Sequence, residues 1–355
     1  MRGGLRYLLW VLVILSSCVD PISFKTESTG RQLVFDGYFT QLNENHFFKI
    51  SRTADFGKTI LPVSGASVAI IDDLGNSADY EEIDLGNYEL CTDRIQGIPG
   101  RFYHVEITLA DGRKYFTVPQ IMPEPVEADV IYFNIESREV LSSSDILVER
   151  TFIDVFIDTP LVTSSGEPSN IRWAVQEVYS FTDRSCGPFD YANTCYFQDP
   201  VEDSKVRLFA KDLGAQTYLK GLNIRSRSIL PFDEFTGRHY FIANQFTISD
   251  ESLKYWERIN AVTNQSGSLF DVQPAKVRGN IIEKDNEKAL VLGYFEVSGL
   301  SKLRTFTTPR EIKKFQPLFT CLDWSYYRDH QDICCYCSLK SGDHIERPVY
   351  WDLDR

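Results

Sequence analysis

The stretch Phe102-Tyr103-His104-Val105-Glu106-Ile107-Thr108-Leu109 decides the fold. Aromatic and β-branched residues in such a run favour a strand. The dipeptide Asp111-Gly112 follows and favours the tight turn of a β-hairpin. The run Lys114-Tyr115-Phe116-Thr117-Val118 then supplies the second strand. We therefore expect a hairpin here, inside a mainly β protein.

Further short strands precede this hairpin, and no helical period separates them. The residues Asp72-Asp73-Leu74-Gly75-Asn76 close one of these strands with a second hairpin signal. The other strand-like runs cover residues 33–39, 47–52, 66–71 and 86–90. Roughly seven short strands within about 90 residues are typical of an immunoglobulin-like β-sandwich. We assign this domain to residues 32–118.

A second β-rich region follows a Pro-rich segment. The chain has 355 residues, which exceeds the usual size of a single core. Pro119, Pro123 and Pro125 predict a stiff linker over residues 119–128. Alternating apolar and polar residues then predict half-buried strands at 152–158 and 171–179, and further strands are expected at 130–133, 240–248, 275–281 and 289–297. We expect a larger β-rich C-terminal domain over residues 129–355, ending in a Cys-rich tail.

One short helix is predicted within this second region. Ser249 is a suitable N-cap, and Asp250 and Glu251 place acid in the first turn, where the helix dipole favours it. The helix should end before Gly267. One face, which we expect to contribute to core packing rather than to a ligand site, carries Leu253, Trp256, Ile259 and Asn260, and Val262 follows.

The N-terminus has the features of a bacterial lipoprotein signal. Arg2 and Arg6 precede an apolar run over residues 8–14 and then Leu15-Ser16-Ser17-Cys18. This run is far shorter than the roughly 20 apolar residues that span a bilayer. We predict a signal peptide over residues 1–17, a diacylglycerol on Cys18 and a mobile tether over residues 18–31. The alternative is an ordinary signal peptide with an incidental cysteine.

The net charge indicates which partners to exclude, and the predicted lipid indicates where the protein is located. The formal net charge of −13 argues against nucleic acid or anionic headgroups as partners. The predicted lipid places the protein on the outer membrane. Asp20 is the only acid between Cys18 and Lys25, so no strong signal for surface export is present and either leaflet remains open.

The cysteines predict disulfides in an exported protein. Eight are present, and if Cys18 carries lipid, the remaining number is odd. Cys186 and Cys195 flank a short loop, and we expect a disulfide between them. Cys91 is the candidate for the odd thiol. The other disulfide candidates crowd the C-terminus and are Cys321, Cys334, Cys335 and Cys337.

A zinc site is the alternative use of the C-terminal cysteines. Cys334 and Cys337 form a CxxC, and His330 and His344 lie nearby in the sequence. A complete zinc site has two well-separated ligand pairs, whereas these ligands are unevenly spaced. We therefore favour disulfides and predict no metal site.

No sequence motif indicates a particular enzymatic reaction. A nucleophile elbow, a phosphate loop, a dinucleotide fingerprint and an HExxH are all absent from the sequence. We accordingly assign no catalytic residues and no cofactor. The 18 Tyr, 24 Phe and 5 Trp could stack on sugars or anchor a partner, but strands select such residues for their cores, which is the favoured interpretation.

Several short sequence motifs occur together in this chain, and together they resemble those of a known protein family. They are Leu33-Val34-Phe35-Asp36-Gly37, Gly97-Ile98-Pro99-Gly100-Arg101, Gly267-Ser268-Leu269-Phe270-Asp271, Gly279-Asn280-Ile281 and Leu292-Gly293-Tyr294-Phe295. With the lipoprotein signal, the chain resembles a family of Bacteroidota outer-membrane lipoproteins, the domain of unknown function forty-two forty-nine. The resemblance implies a two-part β protein that accompanies a TonB-dependent transporter, and it carries over no catalytic residue.

Three functions follow as hypotheses. The leading one is a non-enzymatic lipoprotein that binds a ligand or partner beside a TonB-dependent receptor in nutrient uptake, with the ligand itself unknown. The second is a surface enzyme such as a glycan hydrolase, which would need two carboxyl groups about 5 to 9 Å apart in a cleft. The third is a structural or assembly subunit, which would expose a broad apolar patch.

Overall fold

The computed structural model describes residues 31–54, 60–142, 144–187, 191–200, 206–211, 216–229, 234–263 and 277–353. Strands dominate these residues, which confirms the prediction of a mainly β fold. No helix among them combines the length and the apolar character that crossing a membrane requires. Cys18, the signal peptide and all but the last residue of the proposed tether lie outside the described residues.

Nine of the strands in the described residues lie before residue 122. They are β1 (Leu33–Phe39), β2 (His46–Arg52), β3 (Leu61–Pro62), β4 (Ser67–Asp72), β5 (Ser77–Asp84), β6 (Asn87–Leu90), β7 (Phe102–Thr108), β8 (Lys114–Thr117) and β9 (Gln120–Ile121). Both predicted hairpins are confirmed, because β4 pairs with β5 and β7 pairs with β8 in antiparallel fashion. Strands β3, β5 and β9 lie outside the runs predicted from the sequence.

Eleven further strands follow in the described residues. They are β10 (Val130–Leu141), β11 (Leu147–Pro160), β12 (Asn170–Thr182), β13 (Thr194–Pro200), β14 (Arg207–Phe209), β15 (Tyr218–Ser228), β16 (His239–Ile248), β17 (Ile281–Glu283), β18 (Leu292–Val297), β19 (Gly299–Thr307) and β20 (Asp343–Ile345). The predicted strand at residues 275–281 lies partly outside the described residues, and its described part, from residue 277, contains an isolated bridge at Arg278 and the start of β17.

The first sheet contains strands from both ends of the sequence. Its order is β17-β8-β7-β4-β5-β6-β2-β1-β18, with β3 beside β2 and β9 beside β7. Strand β5 pairs with β4 along its first half and with β6 along its second half, so the sheet folds over one core. That core is rich in large buried rings, including Phe35, Phe48, Tyr88, Tyr103 and Phe295.

The division at residue 118 therefore needs correction. Strand β18 pairs with β1 in parallel, and Phe35 lies opposite Gly293. Strand β17 pairs with β8 at the other end of the same sheet. Residues 32–118 form only part of this unit, which late strands complete. A parallel pair needs a crossover connection rather than a turn, and here that connection is the second unit.

The second unit packs a three-stranded sheet against a six-stranded sheet. The orders are β10-β11-β15 and β19-β16-β12-β13-β20, with β14 beside β12. Strands β12 and β16 pair antiparallel over ten residues. Side chains from both sheets fill the core between them, including Ile153, Val155, Trp173, Ile224 and Phe241.

The predicted helix is confirmed as α1 (Asp250–Thr263). The backbone N–H of Ser252 donates to Ser249 Oγ at 3.1 Å, as an N-cap requires. The expectation of a single short helix is incomplete. The C-terminal tail adds α2 (Pro309–Ile312), α3 (Trp324–Asp329) and α4 (Gln331–Cys335), and single 3₁₀ turns occur at Glu234–Thr236, Cys337–Leu339 and Val349–Asp352.

The Pro-rich segment is packed against both units rather than acting as a spacer, because Met122 belongs to the core of the first unit and Val126 to that of the second. Met122 and Val126 are fully buried. The N–H of Val126 donates to Thr247 Oγ1 at 2.8 Å, and Gln245 Nε2 donates to the Val126 carbonyl at 2.8 Å. These contacts fix the chain where it passes from one unit to the other.

A side-chain amide also joins the two units. Gln41 Nε2 donates to the Leu300 carbonyl at 2.7 Å, and Gln41 Oε1 accepts from the Leu300 N–H at 2.9 Å. The Gln41 side-chain amide thus forms the same pair of hydrogen bonds to Leu300 that the backbone of a neighbouring strand would form. Together with the packed Pro-rich segment, it holds the first sheet against β19.

Gly293 allows the first and last strands of the first sheet to approach closely. Its φ is +87°, and a Cβ there would lie 1.8 Å from the Phe35 carbonyl oxygen. We expect Gly293→Ala to lower the free energy of unfolding by about 2 kcal/mol or more, from strain plus the clash. Gly75→Ala is the matched control, because Gly75 also has a positive φ, +83°, but no atom near a Cβ. Urea unfolding should show a clearly larger loss for Gly293→Ala, and equal losses would contradict the role of the close approach.

Candidate functional site

A pocket of about 410 Å³ opens where the two units meet. We call it the junction pocket. Strands β1 and β18 of the first sheet form one side, and β12, β16, β19 and helix α1 form the other. A volume of this size falls within the range of about 300–1,000 Å³ that is usual for small-molecule sites. Its lining residues are Asp36, Gly37, Tyr38, Arg172, Ala174, Val175, Gln176, Asn244, Phe246, Trp256, Tyr294, Glu296 and Lys302.

A buried ion pair forms the base of the junction pocket. Arg172 on β12 donates from Nη2 to Glu296 Oε1 at 2.7 Å and from Nε to Oε2 at 3.3 Å. Glu296 lies on β18, so the pair links the two units. A forked guanidinium–carboxylate contact fixes both direction and distance. The pair therefore holds the pocket in one shape before any ligand arrives.

Two aromatic rings enclose this guanidinium. The Arg172 Cζ lies 4.0 Å from the centre of the Phe246 ring and 4.6 Å from that of Trp256. Trp256 also donates from Nε1 to Glu296 Oε2 at 2.6 Å. Trp256 packs against the buried cluster that contains Phe246, as predicted for its helix face, and it also lines the pocket, where it is only partly buried.

Asp36 differs from Glu296 because it has no ion-pair partner among the described residues. It lies on β1, and its side chain reaches solvent within the pocket. Burial by the surrounding walls raises the pKa of Asp36, although Arg172 and Lys49 act to lower it and Glu296 adds to the increase. The Asp36 carboxyl group can therefore accept a hydrogen bond from a ligand in the pocket.

Three other polar side chains of the pocket have unused hydrogen-bonding capacity. Gln176, Asn244 and Tyr38 make no side-chain hydrogen bond to any other described residue, and each is only partly buried. Burial, followed by the charge of Glu44, raises the pKa of Tyr38 to about 12, so its hydroxyl stays protonated and can donate. With Asp36, these groups offer both donors and acceptors to the same space.

A second pocket, of about 460 Å³, shares one wall with the junction pocket. Tyr294 lines both, and its ring stacks on Tyr255 of helix α1 at 4.5 Å. The Tyr294 hydroxyl donates to Gln120 Oε1 at 3.2 Å. The second pocket also contains Glu251, Arg258 and Arg278. The two tyrosines thus separate two adjoining cavities along one cleft.

A buried polar cluster lies elsewhere, between the two sheets of the second unit. One ligand atom from each of Glu177, Glu234 and His239 falls within 4.8 Å of the others, a grouping that could hold a metal ion. However, Arg225 Nε donates to Glu177 Oε1 at 3.0 Å, and Arg227 contacts both carboxylates. Two guanidinium groups already balance the acids, so this cluster is a structural ion network rather than a cation site.

The disulfides differ from the predicted pairing. The bridges are Cys186–Cys335, Cys195–Cys337 and Cys321–Cys334. The predicted Cys186–Cys195 bridge is wrong, because both residues instead pair with the folded-back tail. Nearness in sequence suggested a local bridge, whereas β13 and β20 pair and bring the tail to this loop. Cys91 has a free thiol.

The zinc alternative is not supported by these bridges. Zinc binds cysteine as a thiolate, and Cys321, Cys334, Cys335 and Cys337 all have their sulfur atoms in disulfides. The tail instead packs as a small core of its own, with the buried rings of Tyr179, Phe181, Phe197 and Tyr326 around the bridges.

The model of one protein family, Domain of unknown function (DUF4249), matches residues 19–304. The chain belongs to the DUF4249 family. All residues of the junction pocket fall within the matched region, whereas the tail that carries four of the bridged cysteines falls beyond it. A comparison with curated proteins found no match to this DUF4249 chain.

The sequence analysis of this DUF4249 chain assigned no pocket residue to a site. Arg172 and Glu296 are 124 positions apart, and neither carries a local motif. The only available signal was Trp256, an aromatic residue on the predicted helix that was assigned to packing. The pocket arises from strand pairings between distant segments, which a single sequence does not reveal.

Proposed function

We propose that this DUF4249 protein is a non-enzymatic binding subunit that lipid on Cys18 holds on the outer membrane, where it works beside a TonB-dependent transporter in nutrient uptake. The observation that carries the binding part is the junction pocket. The Arg172–Glu296 pair fixes two of its polar groups, and Gln176, Asn244 and Tyr38 make no side-chain hydrogen bond to another described residue. A preorganised, concave site with few convergent polar groups is typical of ligand binding.

The envelope part of the proposal rests on the sequence. The short apolar run and Cys18 form the lipoprotein signal. The resemblance to the DUF4249 lipoproteins implies a protein that accompanies a TonB-dependent transporter. The three disulfides support export, because bridges of this kind persist in oxidising compartments. A tether ahead of β1 would let the binding units reach a partner in the same membrane.

Co-purification tests the partner. Native membranes are extracted with a mild detergent, the tagged protein is captured, and associated proteins are identified by mass spectrometry. We expect a TonB-dependent transporter in near-equal amount. A Cys18→Ser variant, captured from the same cells, is the control for association after lysis. Recovery of the lipidated protein without any such transporter would overturn the partnership.

One observation favours a second function, hydrolysis of a glycan. Asp36 and Glu296 line the same pocket, and burial raises the pKa of Asp36, as a general acid requires. Against this, Arg172 and Trp256 occupy both oxygens of Glu296. Incubation of the protein with oligosaccharides, followed by mass analysis, tests the alternative. Cleavage that Asp36→Asn abolishes would establish it.

A further inference from the structure

We propose that the junction pocket binds a neutral carbohydrate, with Asp36, Gln176 and Asn244 reading its hydroxyl groups. This inference rests on the proposed binding function and deepens it by naming the ligand class. The three side chains come from β1, β12 and β16 and line one cavity. Gln176 and Asn244 make no side-chain hydrogen bond to another described residue, and the Asp36 carboxyl group has only the backbone N–H of its neighbour Gly37 as a hydrogen-bond partner among these residues.

The chemistry of these groups matches hydroxyls. The carboxyl group of Asp36 can accept hydrogen bonds from hydroxyls, while the amides of Gln176 and Asn244 both donate and accept. A sugar hydroxyl can do both at once, so it can bridge an amide and a carboxylate. The Tyr38 hydroxyl, which remains protonated, adds a further donor at the same wall.

The charge of the pocket favours a neutral ligand. Arg172 is paired with Glu296, and Lys302 Nζ contacts Glu44 Oε2 at 2.5 Å. An anionic ligand would face Asp36 and Glu296 without an unpaired cation among the lining residues. A cationic ligand would have to approach the Arg172 guanidinium, which lies in the same wall. A ligand without charge avoids both the repulsion from the acidic side chains and the repulsion from the Arg172 guanidinium.

The apolar part of the pocket also suits a sugar. The partly exposed rings of Tyr38 and Trp256 line it beside the polar groups, whereas Phe246 and Tyr294 are buried behind them. Aromatic rings bury the C–H faces of a pyranose while its hydroxyls stay at the polar edge. The second pocket begins across Tyr294, so the cleft has space for more than one sugar ring.

Calorimetric titration of the full-length, detergent-solubilised protein tests the inference. The probes are cellohexaose, maltohexaose, mannohexaose and xylohexaose, with oligogalacturonate as the anionic probe and chitosan oligomers as the cationic probe. We expect at least one neutral oligosaccharide to bind, and Asp36→Asn and Asn244→Ala each to weaken it about tenfold, which corresponds to about 1.4 kcal/mol. Asp79→Asn and Asn134→Ala are matched controls, since both residues are exposed, have no side-chain partner among the described residues and lie outside the pocket. Thermal unfolding must show that all four variants remain folded.

The titration and the co-purification together distinguish a failure of the carbohydrate assignment from a failure of the proposed function. Binding of a charged probe alone, binding that the pocket variants leave unchanged, or no binding of any neutral probe would each overturn the carbohydrate assignment. If the protein still co-purifies with a transporter in those cases, the proposed function stands without this ligand. Sugar binding without a transporter partner would instead overturn the partnership and leave the assignment in place.

Discussion

Replacing Glu177 with glutamine is expected to lower the free energy of unfolding by about 3–5 kcal/mol, because a buried ion network would lose its central charge. Glu177 is buried on β12 and contacts Arg225, Arg227 and His239. Its hydrogen bond with His239 Nε2 measures 2.9 Å. Glutamine keeps the shape and loses the charge, so Arg225 and Arg227 would both lose their ion pair with Glu177.

The pKa of Glu177 reflects the same contacts. Burial opposes ionisation of Glu177, but the hydrogen bond from His239 and the charges of His239, Arg227 and Arg225 lower its pKa from 4.5 to about 2. A decrease of this size corresponds to about 3 kcal/mol of stability. Because the folded-state pKa is depressed, this stability is complete above pH 4.5 and is lost as the pH falls towards about 2.

Urea unfolding as a function of pH measures this effect. The difference between the wild type and Glu177→Gln should be constant near neutral pH and should shrink between pH 4.5 and about 2, where the wild-type carboxylate takes up its proton. Glu149→Gln is the control, since Glu149 is exposed on β11 and has no ion-pair partner among the described residues. A loss for Glu177→Gln no greater than that for Glu149→Gln would contradict the network.

The two long-range disulfides are expected to depend on each other. Cys186–Cys335 and Cys195–Cys337 span 149 and 142 residues, and they join the loop after β12 and the start of β13, respectively, to the tail. While one remains, the other closes an effective loop of only about 11 residues, which is worth about 3 kcal/mol in the chain-entropy view. Loss of both opens the whole loop, so the combined cost should be about 8 kcal/mol, more than twice either single cost.

Alanine pairs test this dependence. The variants are Cys186→Ala with Cys335→Ala, Cys195→Ala with Cys337→Ala, and all four changes together. Because a total stability of about 5–15 kcal/mol is usual, we expect the fourfold variant to be largely unfolded at 37 °C while each double variant stays folded. Cys91→Ala, at the free thiol, should change little. If the two double-variant costs simply add up in the fourfold variant, the bridges do not close the same loop.

The features that the sequence predicts well are encoded locally. The Asp72–Asn76 turn is closed by the Asp72 carboxylate, which accepts from the N–H groups of Leu74 and Asn76 at 2.9 Å each. Helix α1 carries its N-cap Ser249 next to its own acidic first turn. Strand β1 was predicted with its observed bounds because its aromatic and β-branched residues favour a strand wherever it pairs.

The features that the sequence does not predict depend on distant partners. Strand pattern gives no information on which edge β1 will use, so its pairing with β18 was not foreseen. Cysteine spacing likewise leaves connectivity open, and the short Cys186–Cys195 separation was misleading. The junction pocket needs both the β1–β18 pairing and the placement of β12 beside it, so its residues could only be found in the folded chain.

The acylation of Cys18 is the central claim, because the membrane location and the transporter partnership both follow from it. Fractionation of cells that express the wild type or Cys18→Ser, with Ser17→Ala as the matched control, tests it most directly. The account predicts that wild type and Ser17→Ala stay with the outer membrane after high-salt washing and that the Cys18→Ser variant does not. If Cys18→Ser remains with the membranes as firmly as the wild type, the account is wrong.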